Sequence, residues 1–543
     1  MTPMRSPRRT LTGRNRLVLA TLAGALIVSA VGVVRAVTAW PPSTGTVRGP
    51  IPLAPSACTG TRMLPGSDLQ ATLDLRPEGA SFCFASGVYR LTAPLRPKAR
   101  QRLVAQPGAV LSGARVVIGW RRSGLAWHAT DQLPANPIVH GECAGDYRGC
   151  RYAEAVFYDD RQLWRVERQH DVAPGRFYED YEANAIWIGD DPGGHLVEVA
   201  RAEAAIAGPA AGVLVEGFTI EKFANPAQQG AVQAIGRDWQ VRRNDVRLNH
   251  GHGVTLHSPG GKVLGNHLHH NGQLGLAGDG EGQLVAGNEI DHNNTAGFSA
   301  LWEAGGAKWG EAVRLTVRDN IVHHNRGPGL WTDINSIYVV YERNNVHANA
   351  SDGIFHEIGY DALIRDNRVT DNGRSDPAPG WGGAGIRLAG SSNVEVSGNV
   401  LTGNANGVIL VQQARPEWPS SHGPHELHDV DVHDNDIGMV RNVTGMVDDT
   451  GDASHYDRNN RFRHNTYRLA SLDGRFFAWR DDRWDRSAWT RHFGQDTTGS
   501  FLPTADFPRR HCKRAGALHR ANVFLLPHEP NGLNTGLTRR RKI

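Results

Sequence analysis

The sequence predicts an all-β fold, a right-handed parallel β-helix solenoid with a small β-rich insertion and a C-terminal cap. Three observations carry this reading: a fixed motif returns at nearly constant steps, its strands alternate apolar and polar residues, and its apolar positions take Val, Ile, Leu and Phe interchangeably. The motif runs Asn, any, apolar, any, any, Asn, then three residues and Gly followed by an apolar residue. It stands at Asn244, Asn249 and Gly253; Asn266, Asn271 and Gly275; Asn288, Asn293 and Gly297; Asn320, Asn325 and Gly329; and Asn344, Asn349 and Gly353, with degenerate copies at Asn367 and Asn372 and at Asn399 and Asn404. The first Asn recurs at steps of 22, 22, 32, 24, 23 and 32 residues. Such periods mean a solenoid. No window keeps a 3.6-residue period, which argues against a helical array, and leucine-rich repeats would require Leu at many fixed positions. What remains is a coil whose interior is filled by stacked aliphatic side chains. The two 32-residue steps read as coils with loops of about nine extra residues, placed at 301–312 and 373–385.

Each segment has its own signal. Residues 1–39 carry six Arg and no acid around an apolar run from Leu17 to Val34, which reads as a signal peptide or an N-terminal membrane anchor. The body is therefore expected outside the membrane, secreted or held to the cell membrane by that one helix. Residues 40–57 form a Pro/Ser/Thr/Gly-rich linker and 58–120 the entry to the helix, with strand signals from Gly87 to Val116. Residues 121–199 interrupt the coils with stretches such as 157–160, 177–180 and 186–188, joined by turns, and read as the β-rich insertion; packing is the first role assigned to its Trp164 and Trp187. The repeats occupy 200–440, an aromatic capping region 441–508, and a basic tail 509–543. Five cysteines in an exported chain suggest two local disulfides, Cys58 with Cys83 and Cys143 with Cys150, leaving Cys512 unassigned.

Composition narrows the function. Apart from residues 1–39 the chain holds 53 basic against 55 acidic residues, so no polyanion-binding body and no nucleic-acid partner are expected. The chain is read as a monomer.

These repeats resemble those of the pectin lyase-like parallel β-helix proteins, over about residues 200 to 440. The resemblance implies the fold, and it includes proteins that cleave or epimerise acidic polysaccharides, tail spikes and adhesins. Family motifs do not select among them. Trp331-Thr332-Asp333 replaces the Asn-Thr-Asp of polygalacturonase-like hydrolases, Gly251-His252-Gly253 lies upstream instead of downstream, and Arg-Ile-Lys and Asp-Pro-His-Asp are absent.

Function then rests on register. If the residue after each Gly points inward, the second and fourth after it point out. One outer face is expected to carry Trp331 above Phe355, Asp333 above Glu357, and Arg387 on the next coil, with Asp279 lower down. Two carboxyls about 5 Å apart beside aromatic rings suit glycosidic cleavage, and that spacing favours a retaining course. Asp333 is assigned as nucleophile or base and Glu357 as general acid. Trp331, Phe355, Arg387, Glu303, Lys308 and Asp279 are assigned to substrate binding, with Trp302, Trp309 and Trp381 as groove walls and Glu303 and Lys308 on an overhanging loop. His356 is expected in the core.

The reading is a carbohydrate-active enzyme, a glycoside hydrolase acting on a polysaccharide. Its alternatives are a calcium-assisted polysaccharide lyase on a uronate polymer, with Asp279, Asp333 and Glu357 near Lys308 and Arg387, and a non-catalytic glycan-binding or adhesive protein. No cofactor is required, although Ca2+ is compatible with the lyase. The repeated Asn are expected to form hydrogen-bonded turn ladders, with His270, His292 and His324 stacked beside them. No metal site is assigned to those histidines, because carboxylates and thiolates are missing from their column.

Overall fold

A computed structural model describes residues 53–374, 381–414, 418–440 and 443–504. The apolar run Leu17–Val34, Cys512 and the basic tail lie outside the described residues, and none of the described helices is long and apolar enough to cross a membrane.

Each turn of the chain lays down three short strands, and successive turns stack them into three long sheets of 13, 13 and 12 strands, parallel but for the antiparallel edge strand Asp482–Trp484 of the third. One coil, for example, places Lys262–Leu264 in the first sheet, His267–His269 in the second and Leu274–Glu281 in the third. The chain is a right-handed parallel β-helix, as its repeats predict. At the N-terminal end a short helix, α1 (Leu69–Leu75), lays Leu69 and Leu73 over the first coil, with Asp68 capping its free N–H groups.

The motif now has a physical explanation. The residue before each Asn takes a left-handed conformation, as at Arg243, Leu248, His270, His292, Asp319, His324 and Arg343, and turns the chain from one sheet to the next. The Asn that follows is buried. Its side-chain N–H donates to the carboxamide oxygen of the Asn one coil on, as Asn266 to Asn288 at 3.0 Å and Asn288 to Asn320 at 2.9 Å, and to a strand carbonyl one coil back. One ladder runs from Asn244 to Asn465 and a second from Asn249 to Asn404, satisfying backbone groups that the bends would otherwise leave orphaned. The Gly four residues after the second Asn is required by closeness. A Cβ on Gly329 would stand 2.8 Å from the Asn349 amide nitrogen and 2.7 Å from the Gly353 carbonyl oxygen.

The lumen is filled with Val, Ile, Leu and a few large rings, among them Trp239, Trp309 and Tyr341. Coils also continue past residue 440: Arg461–Arg463, Thr466–Leu469 and Phe477–Trp479 still pair in parallel with the coil before them. The irregular loop lengths there hide Asn435 and Asn465 from a fixed-step search. Phe462, Phe477, Trp479 and Trp489 then close that end.

The insertion is β-rich with its own core, Phe177, Ile186, Ile188, Val197 and Val199 among others. Lys222, buried in the solenoid, binds it through ion pairs to Glu198 and Asp160. The disulfides Cys58–Cys83 and Cys143–Cys150 are formed.

Two histidines make this fold acid-sensitive. Burial and the nearby Arg165 pull His250 down to about 3, and burial pulls the core His356 down to about 4. Both are neutral in the folded chain, whereas unfolded imidazoles take up protons near pH 6.5. Their contribution is therefore complete above about pH 6.5 and falls as pH drops toward 4, by roughly 3 kcal/mol for His356. Denaturant titrations at pH 7 and pH 4 should show this loss, and His356→Gln should reduce it.

Candidate active site

Seven consecutive strands of the third sheet carry the candidate strip on their outer face: β1 (His252–Leu256), β2 (Leu274–Glu281), β3 (Gly305–Val313), β4 (Leu330–Asp333), β5 (Ile354–Glu357), β6 (Ala384–Ala389) and β7 (Asn406–Gln412). Their register puts Thr255, Ala277, Lys308, Trp331, Phe355, Arg387 and Ile409 in one line. Gly310 pairs with Asp333, and Glu357 with Ala389, in the second line.

One coil departs from the sequence reading. Gly297 was expected to open the strand, with Ser299 and Leu301 outward, but the strand opens at Gly305 and presents Lys308. The extra residues precede β3 instead of occupying 301–312. Gly297-Phe298 satisfies the local motif, yet Phe298 packs against His250 and Cys150 beneath the insertion. Lys308 is thus a strand residue. Trp309 alternates inward to the lumen and is no groove wall. Trp302 packs beside Phe298 in the loop, and Trp381 lies against the Trp331 and Phe355 cluster.

Asp333 and Glu357 face outward on consecutive coils, because Thr332 pairs with His356 immediately before them and both of those turn inward. Asp333 receives the Lys308 ammonium at 2.9 Å and the Ile334 backbone N–H at 2.8 Å. Glu357 accepts the Trp331 indole N–H at 3.1 Å. Among their partners, Asp333 thus has the Lys308 ammonium and Glu357 the Trp331 indole N–H.

The aromatics are not open platforms. Lys308 stands 3.7 Å over the Trp331 ring, Trp331 and Phe355 stack at 5.5 Å and 19°, and Arg387 stands 4.8 Å over Phe355. This cation–ring–ring–cation stack occupies the ring faces and leaves Trp331 only 4% and Phe355 6% exposed. Sugar stacking on those faces, expected from the sequence, is excluded in this arrangement. Arg387 also pairs with Asp352 at 3.5 Å.

Glu303 lies at the lower end of the strip, where its carboxylate meets His252 at 3.3 Å and accepts from Gln228 at 2.9 Å. Burial pushes its acid form up, but His252, Lys308 and Gln228 outweigh this and hold it at about 2. The Trp302 carbonyl of the same loop accepts from Lys308 at 3.2 Å. His252 was missed as a site residue by the sequence reading, and Gly251-His252-Gly253 was its only signal. Asp279 pairs with His257 at 2.9 Å, two coils below Asp333, with Gly310 between. Asp279, Asp333 and Glu357 therefore do not converge on one point, and Asp333 is already neutralised by an ammonium. This donor set does not fit a calcium ion. A concavity of about 440 Å³ lined by Asp473, Arg486, Thr490 and Phe501 lies on the C-terminal cap, away from the strip.

The fold thus defines a right-handed parallel β-helix protein with an acidic and basic strip along its third sheet. Residues 230–401 match the family described as right handed beta helix region. The structure of XylC in complex with xylose is similar at 14% identity and a TM-score of 0.59, covering 81% of this chain and 83% of that one. The A-module of the Azotobacter vinelandii mannuronan C-5 epimerase AlgE6 aligns at 12% identity and a TM-score of 0.39, over 74% of this chain and 88% of that one. PfbA, a surface adhesin of Streptococcus pneumoniae, aligns at 11% identity and 0.33, over 74% and 80%. No curated protein matches the chain in sequence.

Proposed function

We propose that the chain is an exported carbohydrate-active enzyme, a glycoside hydrolase that cleaves a polysaccharide laid across the third sheet. The observation carrying this reading is the pair Asp333 and Glu357 on consecutive coils, the first ion-paired with Lys308 and the second accepting the Trp331 indole N–H. Glycosidic cleavage needs one carboxylate and one carboxylic acid on the two sides of the scissile bond, and two carboxyls from neighbouring coils can supply them. Asp333, ion-paired with Lys308, serves as nucleophile or base. Glu357, which accepts the Trp331 indole N–H, serves as general acid. Arg387, Lys308 and Glu303 border the strip and orient substrate hydroxyl or acidic groups.

The XylC complex with xylose, a sugar-bound relative in fold, supports a saccharide ligand. Two disulfides and the basic, apolar N-terminal segment support export. Lys308 favours a second reading, a lyase acting on a uronate polymer with a lysine beside the scissile unit. A polysaccharide panel distinguishes the two. Hydrolysis releases reducing ends with no ultraviolet-absorbing unsaturated sugar, a lyase gives both signals, and a purely glycan-binding protein gives neither.

A further inference from the structure

The second sheet carries, on its outer face, a concentration of imidazoles that the proposed hydrolase does not use. Its strands Asp245–Arg247, His267–His269, Glu289–Asp291, Ile321–His323 and Asn345–His347 align Arg247, His269, Asp291, His323 and His347 in one outward column. Beside it, at the left-handed bend residues, runs a second column of His270, His292 and His324. Their rings stack almost parallel, His270 on His292 at 5.0 Å and His292 on His324 at 5.1 Å. The three bend histidines include no carboxylate, but the adjacent strand column brings Asp291 beside them, and Glu289 lies one line further along the same strand.

We propose that His323, His324 and His347 form a binding site for a late first-row divalent transition metal, of the zinc or cobalt class. Three features of the geometry carry this. The ligating nitrogens of the three side chains lie within 4.8 Å of one another, with His323 Nδ1 and His324 Nδ1 at 2.8 Å. Tetrahedral ligation at 2.0–2.1 Å requires nitrogens about 3.3 Å apart, a spacing that side-chain rotations spreading the close pair and drawing in the third ring can reach. His323 Nε2 is held by the Glu289 carboxylate at 3.2 Å, the partner that turns the other ring nitrogen toward a metal and raises its basicity. Finally, His347 Nδ1 is buried and has no hydrogen-bond partner among the described residues. An orphaned buried imidazole nitrogen within a trio of imidazoles is a ligand atom without its acceptor role fulfilled. The all-nitrogen set selects zinc, cobalt, nickel or copper over calcium and magnesium, which take oxygen ligands. Such an ion would clamp two consecutive coils on a face separate from the carboxylate strip.

The test is a titration of the full-length chain, stripped with chelator, with Zn2+ alone by calorimetry and with Co2+ alone by visible absorption. The expected result is one zinc site tighter than about 1 µM and an intense tetrahedral cobalt spectrum. His324→Ala, at an exposed position, and His347→Gln should each weaken it by more than about 100-fold, since loss of a ligand exceeds loss of an outer partner. His269→Ala, on the same face but outside the trio, should leave it intact. Absence of a site tighter than about 10 µM, equal binding in His324→Ala, or equal weakening by His269→Ala would overturn the proposal.

Discussion

Asp333→Asn should lower polysaccharide cleavage by about 10² to 10⁴-fold while the chain remains folded. The substitution keeps the size of the side chain and its acceptor toward the Ile334 N–H, but removes the charge that faces Lys308 at 2.9 Å. Glu357→Gln keeps an acceptor for the Trp331 indole and removes the acidic proton, with a similar loss on natural substrate. The two variants differ in what rescues them. A substrate whose leaving group needs no protonation should restore much of the rate to Glu357→Gln and little to Asp333→Asn. Initial rates on a sugar glycoside with an activated aryl leaving group check this, and rescue of Asp333→Asn alone would exchange the two roles.

Asn320→Ala should cost about 4 to 5 kcal/mol locally, far more than any outward-facing substitution on the same coil. Asn320 is fully buried, accepts from both the backbone and the side chain of Asn288 at 2.9 Å, and donates to Val285 O at 3.1 Å and to Asn344 at 2.9 Å. Alanine strands those groups in a dry bend, where each unsatisfied partner costs about 1–3 kcal/mol. Because each coil contacts only its neighbours, the loss should be local. Amide exchange in Leu284–Ala286, Thr316–Arg318 and Val339–Glu342 should accelerate, with distant coils unchanged. Thr316→Ala, outward on the same coil, should stay within about 0.5 kcal/mol. Equal protection in Asn320→Ala and the parent chain would show that the ladder carries no stability.

What sequence could show followed from how local each determinant is. The Asn bend and its Gly are short-range requirements, so the motif exposed the fold and the outward line Trp331, Phe355 and Arg387 by counting alone. The same counting failed at Gly297, where Phe298 obeys the motif but is claimed by contacts from His250 and Cys150, far away in the chain. That slip moved Lys308 into a loop and Trp309 into a groove wall. Burial of Trp331 and Phe355 depends on cations from the coils on either side, and the His252 and Glu303 contact joins a strand to a loop two coils on. None of these is written in a local pattern. The carboxylates of the second sheet were overlooked for a related reason. They stand in the column next to the histidines, and only the stacking of coils brings the columns together.

The pairing of Asp333 with Glu357 is tested most directly by the initial rate of reducing-end release from the double variant, set beside the two single variants and the parent chain. Residues that act as a unit are strongly non-additive. The account predicts that the double variant is slower than the worse single one by no more than about tenfold. Near-parental release by the double variant, or losses that multiply as for independent sites, would contradict a shared acid pair on the third sheet.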